Sequence, residues 1–395
     1  MKAIRAQSNM PYPFGLHLAI DASNIRQGGG ITHLSQLLQS GDPISAGFQR
    51  VTIWVNRSTS LVLPDRTWLV KMTLPWMEST LPHRLMGQQL AIPQAMKAEG
   101  CDVLLSTGGT LPFWSPVPAV TMSQNMLPFE PLEAARFGRY SLMRFKMRLL
   151  RHSQGRSFRR ADGLIFLTQY AKSAVSKELA CLSCPTALIP HGIENRFMQP
   201  PRSQRLLTEC SIENPFRILY VSILMPYKHQ IEVAHAASQL RASGLPIEVR
   251  FIGEPWGDYG RQFRALLDNL DPGHAFLLWS GAEPFDTLHG FYQKADAFVF
   301  ASSCENLPNI LLEAMAAGLP IASSECGPMP EILGDAGVYF DPLIPSSIAD
   351  AVQRLALDHS LRSQLAQSAW LKAQAYSWER CARDTFAFIA QVARQ

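Results

Sequence analysis

The chain has 395 residues, of which 47% are hydrophobic and 17% are charged, and its formal net charge at pH 7 is +4. This length suits two domains of ordinary size, and the composition excludes a disordered or fibrous chain. No apolar stretch is long enough to span a bilayer, and residues 1–13 lack the apolar block of a signal peptide, so we expect a cytoplasmic protein.

Short β-branched and apolar runs alternate with helical stretches along the chain, which is typical of parallel sheets with crossover helices. In the first half the predicted strands are residues 17–23, 51–56, 67–72, 102–107, 119–123, 163–168 and 186–189. In the second half they are residues 217–222, 247–253, 276–280, 297–301, 320–324 and 338–340. Both halves are therefore predicted to be Rossmann-like, doubly wound α/β domains.

A polar segment without sustained periodicity, residues 194–215, separates the two halves and contains three prolines. The predicted division is an N-terminal domain over 1–195, a linker over 196–215, a C-terminal domain over 216–375 and a final helix over 376–395. In open parallel sheets ligands bind beyond the carboxyl ends of the strands, so functional residues are expected in the loops there.

A glycine run, Gln27-Gly28-Gly29-Gly30, follows the first predicted strand and precedes a stretch with helical spacing. Such a loop lets the backbone approach an anion closely, with free N–H groups and the positive end of a helix dipole directed at it. A phosphate would fit there, although a flexible surface turn is an alternative. The spacing matches neither the dinucleotide fingerprint nor the P-loop, which argues against a dehydrogenase or an NTPase.

Two glutamates flank the start of another predicted helix. Glu305 lies in the polar loop after strand 297–301, and Glu313 lies on the second turn of a helix with Asn306 as a capping candidate and Gly318 as a stop signal. Ionised carboxylates accept hydrogen bonds from vicinal hydroxyls, so the pair can converge on a polyhydroxyl ligand. The alternative is an acid at a helix N-terminus and an unrelated surface acid.

Seven residues separate the two glutamates, and with the flanking Leu307-Pro308 and Glu313-Ala314-Met315-Ala316 they resemble the paired-glutamate motif of retaining glycosyltransferases of family 4. The resemblance extends to Gly28–Gly30, 189–192, Ser222, Lys228, 251–253, Gly281, 327–332 and 337–342. It implies the GT-B fold, in which two Rossmann-like, doubly wound domains face each other across a cleft. The first would lie on the acceptor side, the second would bind the nucleotide sugar, and the last helix would cross back to the first.

By this resemblance Glu313 would hold the donor ribose and Glu305 the transferred sugar. Lys228 would pair with the donor diphosphate, and Glu305 and Lys228 would be the catalytic residues. The remaining donor-binding residues would be Gly28, Gly29, Gly30, Asn306, Leu307 and Asn309. A cation and preorganised amides aimed at the leaving diphosphate would stabilise the transition state. The sequence has no Asp-x-Asp motif, so we expect neither a metal ion nor another cofactor.

Two departures from the family pattern concern charge and proton transfer. Ile223 stands where the family has a phosphate-binding arginine, so Lys228 would act alone or with a substitute such as Arg217 or Lys172.

In the first domain, Gln124 and Asn125 stand where many relatives have a histidine near the donor sugar. These two acceptor-side candidates can form hydrogen bonds to a sugar, but an amide cannot be a general base. A front-face reaction, in which the leaving phosphate takes the acceptor proton, would tolerate that loss.

A basic segment lies in the first half, where residues 134–160 contain nine Lys or Arg residues and no acid. Helical spacing puts Arg144, Arg148 and Arg151 on one side and Leu142, Phe145 and Leu149 on the other. One interpretation is a solvated basic face above a core-packed apolar stripe. The other is contact with anionic lipid headgroups or a lipid-diphosphate acceptor. Nucleic acid is not expected, because no recognition motif accompanies the segment.

Three further features have structural interpretations. Cys181 and Cys184 form a lone CxxC pair that lacks the partners of a zinc site, and seven cysteines argue against a disulfide framework. His191 is interpreted as a structural residue at the interdomain turn. Trp378 and the apolar residues in 386–392 are interpreted as core.

The sequence thus predicts a retaining enzyme that moves a hexose from a nucleotide diphosphate sugar to a cell-surface polysaccharide or lipid-linked oligosaccharide precursor. It would be cytoplasmic and peripheral on the inner face of the membrane. The alternatives are a GT-B transferase with a soluble small acceptor, and a catalytically silent nucleotide-binding scaffold.

Overall fold

The computed structural model describes residues 15–26, 28–179 and 182–395. Within these residues thirteen strands form two parallel sheets with helices packed around them. Gln27 of the glycine run, Cys181 of the CxxC pair and the whole of residues 1–13 lie outside the described residues.

The first sheet has seven parallel strands in the order β3-β2-β1-β4-β5-β6-β7. Its elements are β1 (Leu16–Ala22), α1 (Gly29–Ser40), β2 (Phe48–Val55), α2 (Arg57–Ser60), β3 (Leu69–Met72), α3 (Leu81–Glu99), β4 (Val103–Ser106), β5 (Ala119–Ser123), α4 (Pro131–Ala135), α5 (Leu142–Arg160), β6 (Gly163–Phe166), α6 (Gln169–Leu179) and β7 (Thr186–Leu188).

The second sheet has six parallel strands in the order β10-β9-β8-β11-β12-β13. Its elements are β8 (Phe216–Val221), α7 (Gln230–Ala242), β9 (Ile247–Ile252), α8 (Gly257–Leu270), β10 (Leu277–Trp279), α9 (Leu288–Lys294), β11 (Ala297–Phe300), α10 (Asn309–Ala316), β12 (Ile321–Ser324), α11 (Met329–Leu333), β13 (Val338–Phe340) and α12 (Pro345–Leu357), followed by α13 (His359–Ala373) and α14 (Trp378–Ala393).

Each of the thirteen predicted strands is present, and the predicted doubly wound α/β fold is confirmed. The largest difference in a strand boundary is at β2, which begins at Phe48, three residues before the predicted start at Val51. Phe48 is fully buried and pairs with Leu16 of β1, so the ladder extends over residues that lack the β-branched signal.

Both strand orders reverse direction at one place, between β1 and β4 in the first sheet and between β8 and β11 in the second. At such a switch point the loops leave the sheet in opposite directions and open a crevice at the carboxyl ends of the strands. The glycine run follows β1, Lys228 follows β8 and Glu305 follows β11. The topology therefore places the predicted site residues at the two crevices.

The segment between the sheets is irregular but is held firmly against the second one. Phe197 is buried with its ring 5.5 Å from that of Tyr292. Arg202 and Arg205 both form ion pairs with Asp296, at 3.1 and 2.5 Å. These contacts hold residues 197–205 against the second domain.

Helix α14 packs against α1 and β4 of the first sheet. The ring of Phe386 lies 6.4 Å from that of Phe48, and Phe388 and Val392 lie directly over Gly163. All three α14 side chains are buried, as expected of core residues. The end of the chain therefore ties the two domains together.

The apolar stripe of helix α5 was expected to pack in the core, but the structure leaves it exposed. Leu142, Phe145 and Leu149 are exposed by 87%, 59% and 56%, whereas Met147 and Phe158 are buried. Periodicity identifies residues that share a helix face, but the packing of the domain decides which face is covered. None of the helices in the described part of the chain combines the length and apolar character needed to cross a membrane.

Candidate active site between the two domains

The glycine run forms the N-terminus of α1 at the carboxyl end of β1. Gly28 precedes the helix with φ 66°, a left-handed conformation that favours glycine. A side chain at Gly29 would point towards the Asn309 amide nitrogen, 3.9 Å from its Cβ position. The N-terminus of α1 in the first domain therefore faces the N-terminus of α10 in the second.

Lys228 lies in a short turn between β8 and α7, and its ammonium forms a buried ion pair with the Glu305 carboxylate. Burial alone would lower the pKa of Lys228, but Glu305 and the Tyr227 phenol oppose this effect and raise the pKa above its usual value. The next residue, His229, adopts φ 55° and its Nε2 lies 2.9 Å from the Ser303 hydroxyl. The lysine is thus held as a cation between two constrained loops.

Glu313 lies on the buried side of α10, where the Tyr292 hydroxyl donates a hydrogen bond to its carboxyl at 2.9 Å. Burial raises the pKa of Glu313 to about 8, although the bond from Tyr292 acts in the opposite direction. Together with Asn309, the carboxyl lines a small interdomain cavity that Thr32 and Gly192 border from the other side. It can therefore contact a ligand held between the domains.

Asn306 does not cap α10 as predicted, because the helix begins at Asn309 with Pro308 before it. Its side-chain amide instead donates to the Ser123 carbonyl at the end of β5, at 2.8 Å, and its backbone carbonyl accepts from the Thr168 hydroxyl at 3.1 Å. The helix starts later than predicted because the Asn306 side chain is bonded to the opposite domain and does not cap the helix. Leu307 is buried beside it.

Two buried histidines connect the glycine helix with α10. The Gln124 amide donates to His33 Nδ1 at 3.1 Å, and the His33 ring stacks on His191 with centroids 4.6 Å apart. His191 Nδ1 in turn lies 3.3 Å from the Asn309 amide oxygen. His33 was not singled out by the sequence analysis, although it lies only three residues after Gly30.

The two acceptor-side candidates have different surroundings. Gln124 is directed at His33 and lies close to Gly30, whose Cβ position is 3.9 Å from the Gln124 amide oxygen. Asn125 is exposed, and its side-chain oxygen accepts the Leu127 N–H at 3.1 Å. Gln124 thus lies beside the glycine helix, whereas Asn125 is exposed.

Arg217 and Lys172, the two substitutes considered for the family's arginine at the position of Ile223, lie at different distances from the site. Arg217 is the second residue of β8, at the strand end opposite Ile223, and six residues of extended chain span roughly 20 Å. It cannot reach a diphosphate beside Lys228, so this expectation was wrong. Lys172 lies in the first turn of α6, one turn after Thr168, whose hydroxyl contacts Asn306.

Two more contacts join the domains beside the site. The Glu331 carboxylate accepts the backbone N–H groups of Gln169 and Tyr170, both at 2.7 Å, and so caps α6 from the other domain. The Ser303 hydroxyl donates to Glu133 at 2.5 Å. These residues were missed because nothing in their local sequence indicates a partner more than 150 residues away.

Within the described ranges, no group of three His, Cys, Asp or Glu side chains is arranged to hold a metal ion. The polar groups that converge on the cleft are the Lys228–Glu305 ion pair, the Glu313 carboxyl group and the positive ends of α1 and α10. This combination suits an anionic ligand that also carries hydroxyl groups.

Comparison with known proteins agrees with this chemistry. Residues 209–371 match the family described as Glycosyl transferases group 1. An O-antigen chain mannosyltransferase B from Escherichia coli is 31% identical over 28% of this chain and 29% of its own. A D-inositol 3-phosphate glycosyltransferase from Corynebacterium jeikeium is 34% identical over 56% of this chain and 55% of its own. The chain thus spans between about a third and about half of these relatives' lengths.

Solved structures share the fold across nearly the whole chain. WaaG, a glycosyltransferase involved in lipopolysaccharide biosynthesis, has a TM-score of 0.71 at 16% identity and covers 94% of this chain and 99% of its own. HepE from Anabaena, solved with UDP and glucose, has a TM-score of 0.69 at 16% identity and covers 94% and 98%. Residues 209–371 thus match the group 1 glycosyltransferases, and the chain as a whole shares the two-domain GT-B fold of the solved glycosyltransferase structures.

Proposed function

We propose that the protein transfers a hexose, with retention of anomeric configuration, from a nucleotide diphosphate sugar to a lipid-linked oligosaccharide or cell-surface polysaccharide precursor. The observation that carries this proposal is the meeting of the two switch-point crevices. The glycine helix α1 faces Asn309 across the cleft, and Lys228, Glu305 and Glu313 lie on the loops and helix of the opposite domain.

The donor would bind along this line of groups. Glu313 would accept hydrogen bonds from the ribose hydroxyls, and the N–H groups of Gly29 and Gly30 would face the diphosphate. The Lys228 ammonium, paired with Glu305 in the donor-free protein, would move to the diphosphate when it arrives. Glu305 would then be free to bind hydroxyls of the transferred sugar, so a single exchange of partners prepares both catalytic residues.

Bond cleavage places negative charge on the leaving diphosphate. A buried cation and fixed helix N–H groups stabilise that charge more than they stabilise the ground state, which lowers the barrier. Lys228 would therefore supply the stabilisation that a divalent cation provides in metal-dependent transferases. Lys172, in the first turn of α6, is the candidate for a second cation.

Retention is proposed to follow a front-face course. Gln124 cannot remove the acceptor proton, and its amide is already engaged with His33. The departing phosphate oxygen, held on the same face of the sugar, would take the proton from the acceptor hydroxyl while the new bond forms. Asn125, exposed at the edge of the cleft, would orient the acceptor.

The nature of donor and acceptor is supported by what similar proteins are reported to bind or make. HepE was solved with UDP and glucose, and WaaG and the O-antigen mannosyltransferase act in the formation of cell-surface glycans. We extend this to a nucleotide sugar donor and a lipid-linked or polysaccharide acceptor, with the protein on the cytoplasmic face of the membrane.

A thermal-shift screen with UDP, GDP, dTDP and ADP sugars tests donor binding, because a ligand that binds only the native state raises its melting temperature. The expected result is stabilisation by one nucleotide class, which Glu313→Ala abolishes and Glu325→Ala, an exposed carboxylate elsewhere, does not. No stabilisation by any of the four classes would contradict the proposal.

An assay of nucleotide diphosphate release then distinguishes an enzyme from a silent scaffold, which would bind the donor without turning it over. Transfer to sugars or polyols in solution, without any requirement for vesicles, would favour the alternative of a soluble small acceptor.

A further inference from the structure

Large apolar side chains are exposed on one side of the first domain. They come from α3, from the loop between β4 and β5, and from α5. We call this set the apolar ridge, and it consists of Met86, Leu90, Phe113, Trp114, Leu142, Phe145 and Leu149, all between 56% and 87% exposed. Exposed apolar groups are common singly, but a contiguous set marks an interaction surface.

Two contacts join the loop of the ridge to the helices on either side of it. The Phe113 N–H donates to the Gln89 side chain on α3 at 2.6 Å, and Gln89 lies between Met86 and Leu90 on that helix. On the other side, the Arg156 guanidinium lies 3.9 Å from the centre of the Phe113 ring. The loop is therefore clamped between α3 and α5.

Arg156 also connects the loop to the apolar face of α5. It lies seven residues after Leu149, and Leu149 lies seven residues after Leu142, so all three share one helix face. Its guanidinium donates to the Leu111 carbonyl at 3.0 Å, which fixes α5 to the start of the loop. The exposed faces of the two helices are thus parts of one surface.

The segments that form the ridge carry charges of a single sign. Residues 79–98, 103–118 and 134–160 contain no Asp or Glu. Lys146 and Arg148 are exposed beside Phe145 and Leu149. An occupant of this surface must therefore offer negative charge next to apolar groups, which describes the boundary between headgroups and acyl chains in an anionic bilayer.

We propose that the apolar ridge docks on an anionic lipid bilayer, with Phe113, Trp114, Phe145 and Leu149 inserted at the level of the upper acyl chains and Lys146 and Arg148 at the headgroups. This deepens the proposed function by assigning the surface that brings the cleft to a lipid-linked acceptor. Vesicle binding needs no donor turnover, so the two proposals can fail separately.

The proposed docking surface differs from the one expected from the sequence, in which Arg144, Arg148 and Arg151 touch the headgroups. Arg151 forms an ion pair with Glu178 of α6, and Arg144 is half-buried, which leaves Arg148 as the exposed member of that set. Insertion of apolar side chains, rather than charge alone, is then the main source of binding. Added salt should weaken the binding by screening without abolishing it.

Flotation with phosphatidylcholine vesicles, with and without phosphatidylglycerol, tests the docking surface. We expect the protein to float with the anionic vesicles and the Phe145→Ser/Leu149→Ser variant to lose roughly tenfold or more of the bound fraction. The matched control is Leu357→Ser/Leu371→Ser, which changes two equally exposed leucines of the second domain and should float like the parent. Donor-induced thermal stabilisation should be the same in all three proteins.

The depth to which the ridge inserts into the bilayer is tested with lipids brominated on their acyl chains, which quench tryptophan fluorescence. Trp114→Phe should lose most of the quenching and Trp370→Phe, in α13, should retain it. Equal flotation of the ridge variant and the parent would overturn the proposal, as would complete release by salt, which indicates headgroup contact alone. A parent dimer that the ridge substitutions convert to a monomer, without vesicle binding, would assign the ridge to a second copy of the chain.

Discussion

The imidazole rings of His33 and His191 stack beside the domain junction with their centroids 4.6 Å apart and their planes 24° from parallel. Trp378 of α14 packs against both rings, with its ring centre 5.4 Å from that of His191 and 6.1 Å from that of His33. Burial lowers the pKa of His33 well below its usual value and that of His191 to about 4. Both rings are therefore neutral at neutral pH, since two charged rings could not stack so closely in a buried site.

This pair should make the protein sensitive to acid. The unfolded chain binds protons at histidine near pH 6.5, whereas the folded protein resists protonation of His191 until about pH 4. The stabilisation is thus fully present above pH 6.5 and is lost as the pH falls towards 4, by at most about 1.4 kcal/mol per pH unit for each histidine. Thermal unfolding between pH 7 and 4.5 measures this slope.

His191→Phe keeps an aromatic ring in the stack but removes one titrating group. The variant should be less stable than the parent at pH 7, because the contact with Asn309 is lost, yet its stability should fall less steeply below pH 6.5. His83→Phe, which changes an exposed histidine, serves as the control and should keep the parent slope. An unchanged slope in His191→Phe would remove His191 as the source of the acid sensitivity.

Donor affinity should rise with pH through Glu313. Burial raises the pKa of this carboxyl to about 8, so it is mostly protonated at pH 7 in the donor-free protein, whereas ribose hydroxyls are bound best by a carboxylate. We expect the dissociation constant of the donor to fall roughly 25-fold between pH 6.5 and 8.5. Isothermal titration calorimetry with the intact nucleotide sugar gives the measurement.

Glu313→Gln mimics the protonated carboxyl and should bind the donor weakly with no such pH dependence. It should also change the stability profile. A raised pKa contributes stability that is present below pH 4.5 and is lost as the pH rises through about 8, so this contribution, opposite in sign to that of the histidines, should be absent from the stability profile of the variant. A pH-dependent donor affinity in Glu313→Gln would place the titrating group elsewhere.

Lys228 should affect turnover more than binding. Its partner charge grows as the glycosidic bond breaks, so Lys228→Ala should lower kcat by about 10²-fold or more with a smaller change in KM. Steady-state kinetics of nucleotide release, with Lys177→Ala as an exposed-lysine control, measures both constants. A change confined to KM would mean that Lys228 binds ground state and transition state equally.

The buried ion pair also predicts an effect on the donor-free protein. Glu305→Ala leaves the Lys228 ammonium buried without its partner and should lower the free energy of unfolding by about 3 to 5 kcal/mol. The donor diphosphate should restore more stability to this variant than to the parent, because it replaces the missing carboxylate. Chemical denaturation with and without nucleotide distinguishes this from a simple loss of packing, which a ligand would not repair.

Glu331 should hold the two domains together at α6. Its removal in Glu331→Ala frees the backbone N–H groups of Gln169 and Tyr170, and an N-terminal cap contributes about 1 kcal/mol. Hydrogen exchange at the start of α6 should increase in this variant and remain at the parent rate in Glu325→Ala. Equal protection in both variants would show that the interdomain cap does not form in solution.

Turnover should persist in excess EDTA, because Lys228 and the N-termini of α1 and α10 carry the positive charge of the site. Nucleotide release by protein treated with chelator and then desalted measures this. Complete loss of activity that magnesium or manganese restores would contradict the proposed role of Lys228.

Local patterns in the sequence were enough to predict the fold. Apolar runs marked all thirteen strands, and their alternation with helical spacing indicated two parallel, doubly wound sheets. The order of loops then placed the glycine run, Lys228 and Glu305 at the carboxyl ends of strands. These features depend on residues close together in the chain, so they can be read without knowing how the two domains are oriented.

Only the tertiary structure decided what each of these residues contacts. Lys228 and Glu305 are 77 residues apart in sequence, and the distance between them depends on how β8 and β11 pair within the sheet. Asn306 leaves the helix start because Ser123 of the other domain offers a carbonyl. The exposed side of α5 likewise depends on which face the domain covers, since a helical period defines a face but not its neighbour.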